Sequence, residues 1–270
     1  MKIEAGRAAF LAAVLGVCAA SANAQETFVD AIKAGTPILE LRARFEEVQQ
    51  AGRANEGEQA SLRTRAGWQT GKWNGLQALV EFDDVRDLAA ERYDSGINGK
   101  TSYGQIFDPE VTELNRLQLS WKANDAFTAT IGRQRLNIGD QRFIGSVAWR
   151  QDEQTFDAVR LDTKLGAFQA TYAYVDHINR IFGEQQDWSS DSHVADATYA
   201  IAEPLKLGAF VYALDFDRPG TAAVRNQSGL TWGVRASGNA QAGEVKLDYG
   251  ARWARQTDYG SSRCCQTNAT

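Results

Sequence analysis

Histidine and cysteine are almost missing from this 270-residue chain: His177 and His193 stand alone, and the cysteines are Cys18, Cys264 and Cys265. That scarcity leaves no Cys/His spacing for zinc, and the adjacent Cys264 and Cys265 are poorly placed for normal disulfide geometry. Both histidines lie in or beside a loop, and Ser192 with His193 lacks the orienting third group of a hydrolytic triad. No phosphate-binding glycine loop, metal spacing or dinucleotide fingerprint is present. Neither catalysis nor a cofactor or metal is expected. A basic excess is also lacking, with 29 Lys and Arg against 34 Asp and Glu, which argues against general nucleic-acid binding. No apolar run is long enough to cross a bilayer as a helix, and mean hydropathy is negative.

The chain begins with a segment read as a cleavable leader. Lys2 and Arg7 give a positive start, residues 8–20 are a short apolar run, and Ala22, Asn23 and Ala24 form a small-x-small cleavage site. Residues 1–24 are therefore expected to be removed after export through the inner membrane. Val17 before Cys18 disfavours lipidation there. Loss of Lys2, Arg7 and Glu4 leaves the remainder slightly more acidic, and residues 25–36 are expected to be a short mobile lead-in.

From residue 37 onward the dominant pattern is alternation. Leu39, Leu41, Ala43 and Phe45 interleave with Glu40, Arg42, Arg44 and Glu46, and Val245, Leu247, Tyr249, Ala251 and Trp253 interleave with polar residues near the other end. Successive side chains of a strand point to opposite faces, so each such segment has one apolar and one polar face. Strands are expected at roughly residues 38–48, 62–69, 76–82, 117–121, 127–131, 156–163, 168–174, 194–200, 205–216, 229–237 and 244–255, about eleven in all. Short turns alternate with long connections, the longest being 83–110, 133–154 and 177–191. Regular short-long asymmetry behind a secretory leader predicts an all-β fold, an antiparallel transmembrane β-barrel over residues 37–256, with lipid outside and water inside. Half of every such strand faces water, which reconciles a membrane protein with low hydropathy. Bacterial single-chain barrels close with an even strand number, and residues 257–270 read as a polar, strandless tail. An incomplete barrel with two open edges is therefore expected.

The segment from Gly132 to Gly145 (GRQRLNIGDQRFIG), followed by Trp149, Arg150, Gln151 and then Thr155, Phe156, Asp157, resembles the alginate-export family of outer-membrane barrels. The resemblance implies a porin-class barrel of roughly 16 to 18 strands, more than this length can supply. It also implies outer-membrane lipid as surroundings and an anionic polysaccharide such as a polyuronate as the transported solute, with periplasmic export partners unspecified.

If the apolar faces meet lipid, Arg42, Arg44, Arg63 and Arg65 point into the bore, where guanidinium groups bind carboxylates bidentately and favour anions. The competing expectation is that Glu40, Glu46, Glu81 and Asp83 face the same bore and neutralise them. Arg133, Arg135, Arg142 and Arg150 lie in the long connection after a strand, and an inward fold of that connection would set the charge at a constriction. The alternative there is that Gly132, Gly139 and Gly145 permit tight loop turns while Arg142 and Asp140 pair with each other and with Asp157. Tryptophans such as Trp68, Trp73, Trp121, Trp232 and Trp253 fall toward strand ends, as in an interfacial girdle. The sequence reading is thus an outer-membrane channel for anionic solutes. A generic porin and a secreted, soluble glycan-binding β protein are the alternatives.

Overall fold

A computed structural model describes residues 27–260, apart from 203, 219–221 and 244. The expected leader and all but the first few residues of the expected tail lie outside the described residues. Within them, a helix α1 (Phe28–Lys33) precedes β1 (Thr36–Val48), β2 (Gly57–Gln69), β3 (Leu76–Asp87), β4 (Val111–Asn124), β5 (Phe127–Gln134) and β6 (Thr155–Leu165). There follow β7 (Phe168–Asn179), β8 (Trp188–Ala202), β9 (Leu205–Leu214), β10 (Phe216–Arg218), a short helix α2 (Ala222–Arg225), β11 (Gly229–Ala242) and β12 (Val245–Thr257). Residues 25–36, expected to be mobile, thus contain a helix. Thr27 and Asp30 cap it reciprocally, which lets one short turn form.

The strands join into a single 12-stranded sheet in which each pairs antiparallel with its sequence neighbours; β10 lies off this path and pairs β8. The twelfth strand arises because the expected strand over 205–216 divides after Leu214. Most strands run beyond their expected limits; the main extensions of β2, β3, β4, β7 and β8 point toward the side of the long connections, and that of β11 points toward the short one. Short connections follow β2, β4, β6, β8 and β11, whereas residues 88–110, 135–154 and 180–187 form longer excursions on the other side. The tight reversal before β3 uses Asn74 at φ 51° and Gly75 at φ 81°, a left-handed pair that suits a hairpin.

The two faces of the sheet meet different surroundings. On one face Leu39, Leu41 and Phe45 of β1 are 74%, 64% and 69% exposed, and Leu117, Leu119, Leu207, Val211, Val234 and Trp253 are likewise open. A soluble protein does not leave so continuous an apolar face uncovered, whereas hydrocarbon covers it at no cost. Trp232 and Trp253 pack edge to face on that side, with ring centroids 5.0 Å apart. The opposite, concave face holds the packed interior. Leu136, Ile138 and Ile144 from the connection after β5 lie against Phe156, Ala158, Ala173, Val175, Ile178, Val194, Phe210, Tyr212 and Phe216. No second layer covers the apolar exterior among the described residues. The sheet does not close, and β1 and β12 are its two edges, as expected for an incomplete barrel.

Candidate pore constriction

Strand parity fixes which charges face inward. The register pairs Glu40 with Arg65, Arg42 with Arg63 and Arg44 with Ser61, so these side chains share the concave face of β1 and β2. On β3, Arg65 stands opposite Asp83 and Gly67 opposite Glu81, and Glu81 in turn stands opposite Arg116 of β4. The sequence thus builds a patch of alternating charge across four strands. Its residues are deeply enclosed: Arg63, Arg65, Glu81 and Asp83 are all buried.

What encloses them is the inner loop, residues 135–154, which folds back onto the concave face. Gln151 is completely buried and is the main fastener. Its Oε1 accepts from Arg42 Nε at 2.8 Å, its Nε2 donates to Ser61 Oγ at 2.8 Å and to the Arg42 carbonyl at 3.2 Å, and its backbone N–H donates to Asp108 Oδ1 at 2.7 Å. Arg42 also donates to the carbonyls of Ala148 and Arg150, Arg44 donates to Trp149 O at 2.7 Å, and Arg63 donates to Gln151 O at 3.3 Å. Carbonyls of the loop therefore take up guanidinium protons that a solute would otherwise meet. Further along, Glu153 accepts from Arg135 Nε at 2.7 Å, from Arg65 Nη2 at 3.0 Å and from Asn115 Nδ2 at 2.7 Å. Burial alone would raise the Glu153 carboxyl, but the Arg135 hydrogen bond and the nearby Arg65 charge outweigh it and hold the group below its ordinary range. Asp108 behaves oppositely: its burial outweighs the Gln151 N–H and the Arg150 and Arg44 charges, and its carboxyl is raised.

The far end of the inner loop crosses to the other side of the sheet. Asp140 Oδ2 lies 2.8 Å from Arg252 Nη2 on β12, and the hydrogen bond from Arg252 keeps the Asp140 carboxyl low. Gly139, at φ 61°, lies against the Arg235 guanidinium of β11, which grips Asp196 through two hydrogen bonds of 2.6 Å. The loop thus bridges the inner faces of both edge regions, β1 and β2 at one end and β12 at the other.

The eight arginines singled out from the sequence take different positions. Arg42, Arg44, Arg63 and Arg65 line the concave face together. Arg63 pairs with Glu40, Arg44 with Glu46, and Arg65 bidentately with Asp83 at 2.6–2.7 Å. Arg135 and Arg150 sit in the inner loop; Arg150 lies 3.4 Å from Asp108 and stacks 3.9 Å above the Trp149 ring. Arg142 is exposed on the loop, and its backbone N–H donates to Asp140. Arg133 is separate. It belongs to β5, where parity groups it with Phe127, Ala129 and Ile131, and it pairs with Asp157 at 2.9 Å. Its place opposite Leu117, an exposed apolar residue, puts its backbone position on the outward face. Asp140 and Asp157 find Arg252 and Arg133 respectively, not Arg142. The sequence reading missed Gln151 as the fastener, and also Arg116, which forks onto Glu81 at 2.5–2.8 Å. The run Gln151 to Glu153 inside the distinctive segment was the available signal.

Among the described residues no cluster of three metal-ligating side chains occurs. No curated protein matches the chain. Solved structures share its fold: OccAB3 of Acinetobacter baumannii, at 12% identity and a TM-score of 0.66, covers 87% of this chain and is itself covered to 60%. OccAB2 of the same organism gives 15% identity, a TM-score of 0.65 and coverages of 86% and 60%. OccD3 (OpdP) of Pseudomonas aeruginosa gives 10% identity, a TM-score of 0.60 and coverages of 86% and 50%. The chain therefore spans between half and three fifths of these structures. An outer-membrane β-barrel fold, an apolar exterior and a match of residues 38–264 to the alginate export model converge: the chain belongs to the alginate export family of the Gram-negative outer membrane.

Proposed function

We propose that this chain forms the wall and constriction of a passive outer-membrane channel for anionic solutes, with polyuronates as the preferred class. The observation that carries this reading is the inner loop held within the arginine-bearing concave face and reaching from β1 and β2 to β12. A solute passing along that face meets the exposed Arg142, the half-buried Arg44 and the exposed Trp149 ring before it reaches the buried Arg150 and the pairs beneath. Guanidinium groups in a confined site favour carboxylates over cations, and the family description, alginate export, supplies the polymer class. On this reading the solute moves down its own gradient.

A generic porin is the second reading, favoured by the carboxylates that pair with Arg63, Arg65 and Arg135 and leave less free positive charge. Current through the reconstituted protein in planar bilayers separates the two. Reversal potential in a salt gradient should show anion preference, and added polyuronate should reduce the current. An unchanged current with polyuronate removes the polymer and leaves the generic porin; a cation-selective reversal potential removes both anion readings.

A further inference from the structure

One buried pair is not used by the arginine network. Asp152 of the inner loop is fully buried, and Glu113 of β4 is nearly so. Among the described residues, neither oxygen of Asp152 nor Oε1 of Glu113 receives a hydrogen bond from any donor group. The two carboxyls instead lie within hydrogen-bonding reach of each other. Every cation nearby is occupied elsewhere: Arg65 is held by Asp83 and Glu153, Arg135 by Glu153, and Arg133 by Asp157.

Two ionised carboxylates in that position would face each other without a counter-charge in a place that water does not reach, at a cost no other contact here offsets. Something positive must lie between them. With two carboxylates and no third acidic or histidine ligand, the set is short of what calcium or zinc requires. A proton needs no more than the two oxygens already present.

We propose that Asp152 and Glu113 share one proton, and that this carboxyl-carboxylate hydrogen bond is a pH-dependent latch holding the inner loop against the wall at β4. The groups that bear on it are known from each side. Asp83 of β3 and Glu153 of the loop add negative potential at Asp152, Asp187 before β8 adds it at Glu113, and Arg133 of β5 partly opposes it at Glu113. His177 lies 3.9 Å from Asp187 and is the nearest imidazole. Burial first, and then the Glu113 charge, push Asp152 well above the usual carboxylate range. The sign follows directly. The docked loop holds a proton that the released loop gives up near the ordinary carboxylate range, so docking is fully favoured below that range, weakens as pH rises from it toward the raised value, and levels off above the raised value. The latch deepens the constriction reading above, because its release changes the bore only if the inner loop narrows it.

The test is hydrogen exchange of residues 136–150 in the full chain reconstituted in lipid vesicles, corrected for the intrinsic pH dependence of exchange. From about pH 4 upward the native chain should lose protection by as much as tenfold per pH unit, and the loss should level off once the docked form itself gives up the shared proton. Asp152→Asn supplies an amide donor in place of the proton and should keep the segment protected throughout, and Glu113→Gln should do the same from the other side. Protection that is flat with pH in the native chain, or a slope that persists in both variants, overturns the proposal. Loss of protection on adding a chelator at constant pH overturns it as well, in favour of a metal cation. The exchange readout does not involve conduction, so failure of the latch and failure of the channel reading are separately visible.

Discussion

Replacing Gln151 with Leu asks how firmly the inner loop is held. The substitution keeps approximate volume but removes three side-chain hydrogen bonds, one from the charged Arg42 Nε and two made by Nε2 to Ser61 Oγ and the Arg42 carbonyl. A hydrogen bond to a charged group contributes about 1.5–3 kcal/mol and a neutral one about 1 kcal/mol. Ser61 is fully buried and would lose this partner, which adds to the loss. The sum is about 3–5 kcal/mol of docking free energy, equivalent to a rise of roughly two to four orders of magnitude in the released population. The backbone N–H of residue 151 still reaches Asp108, so the chain itself should still fold. Exchange of residues 136–150 in vesicles should accelerate by that factor, while exchange in β7 and β8 stays unchanged. In planar bilayers the same variant should show larger, noisier current steps. Unchanged exchange would refute the assignment of Gln151 as the fastener, and faster exchange with unchanged current would show that the loop does not narrow the bore.

Arg65→Met leaves Asp83 fully buried without its bidentate partner, and should lower the unfolding free energy in vesicles by about 3–5 kcal/mol; a loss below about 1 kcal/mol would show that the pair is not structurally important. Asp140 is held low by Arg252, so its contribution to docking exists above the ordinary carboxylate range and disappears as pH falls through its lowered value; Asp140→Asn should remove that acid-side change in exchange around residue 139. On the outward face, Leu119→Arg should cost about 2–4 kcal/mol if the site lies near the bilayer midplane, as read from urea unfolding in vesicles, whereas a soluble sheet would tolerate it. Arg42→Glu with Arg44→Glu should weaken or reverse anion preference, and an unchanged reversal potential would place the selectivity elsewhere.

The alternation made most of the sheet legible, because lipid on one side and a polar interior on the other write a period of two into every strand. Leu39 to Glu46 shows this cleanly. The pattern failed where inward residues are polar and buried by another part of the chain. Val111 to Arg116 carries Glu113, Asn115 and Arg116, which look like loop in one dimension yet continue β4, where Glu81 and the inner loop's Glu153 satisfy Asn115 and Glu81 satisfies Arg116. Trp188 to His193 was obscured in the same way by Ser189, Ser190 and Ser192. Arg133 shows the converse. A one-residue change of strand end decides which solvent a side chain meets, and β5 continues through Gln134. The arginines were visible as a group, but their partners were not, since Gln151 and Asp108 are separated from Arg42 by long stretches of sequence that only the return of the loop brings together.

Anchored at β1 and β2 by Gln151 and at β12 by Asp140, the inner loop acts as a chord drawn across an arc of wall. A chord of fixed length sets the radius of the arc it subtends, so the curvature of the wall is specified from within as well as by strand tilt. Arg252 can meet Asp140 only when the β11–β12 hairpin is in place. The salt bridge there therefore requires that the wall has bent far enough to bring β12 to the loop that β1 and β2 hold.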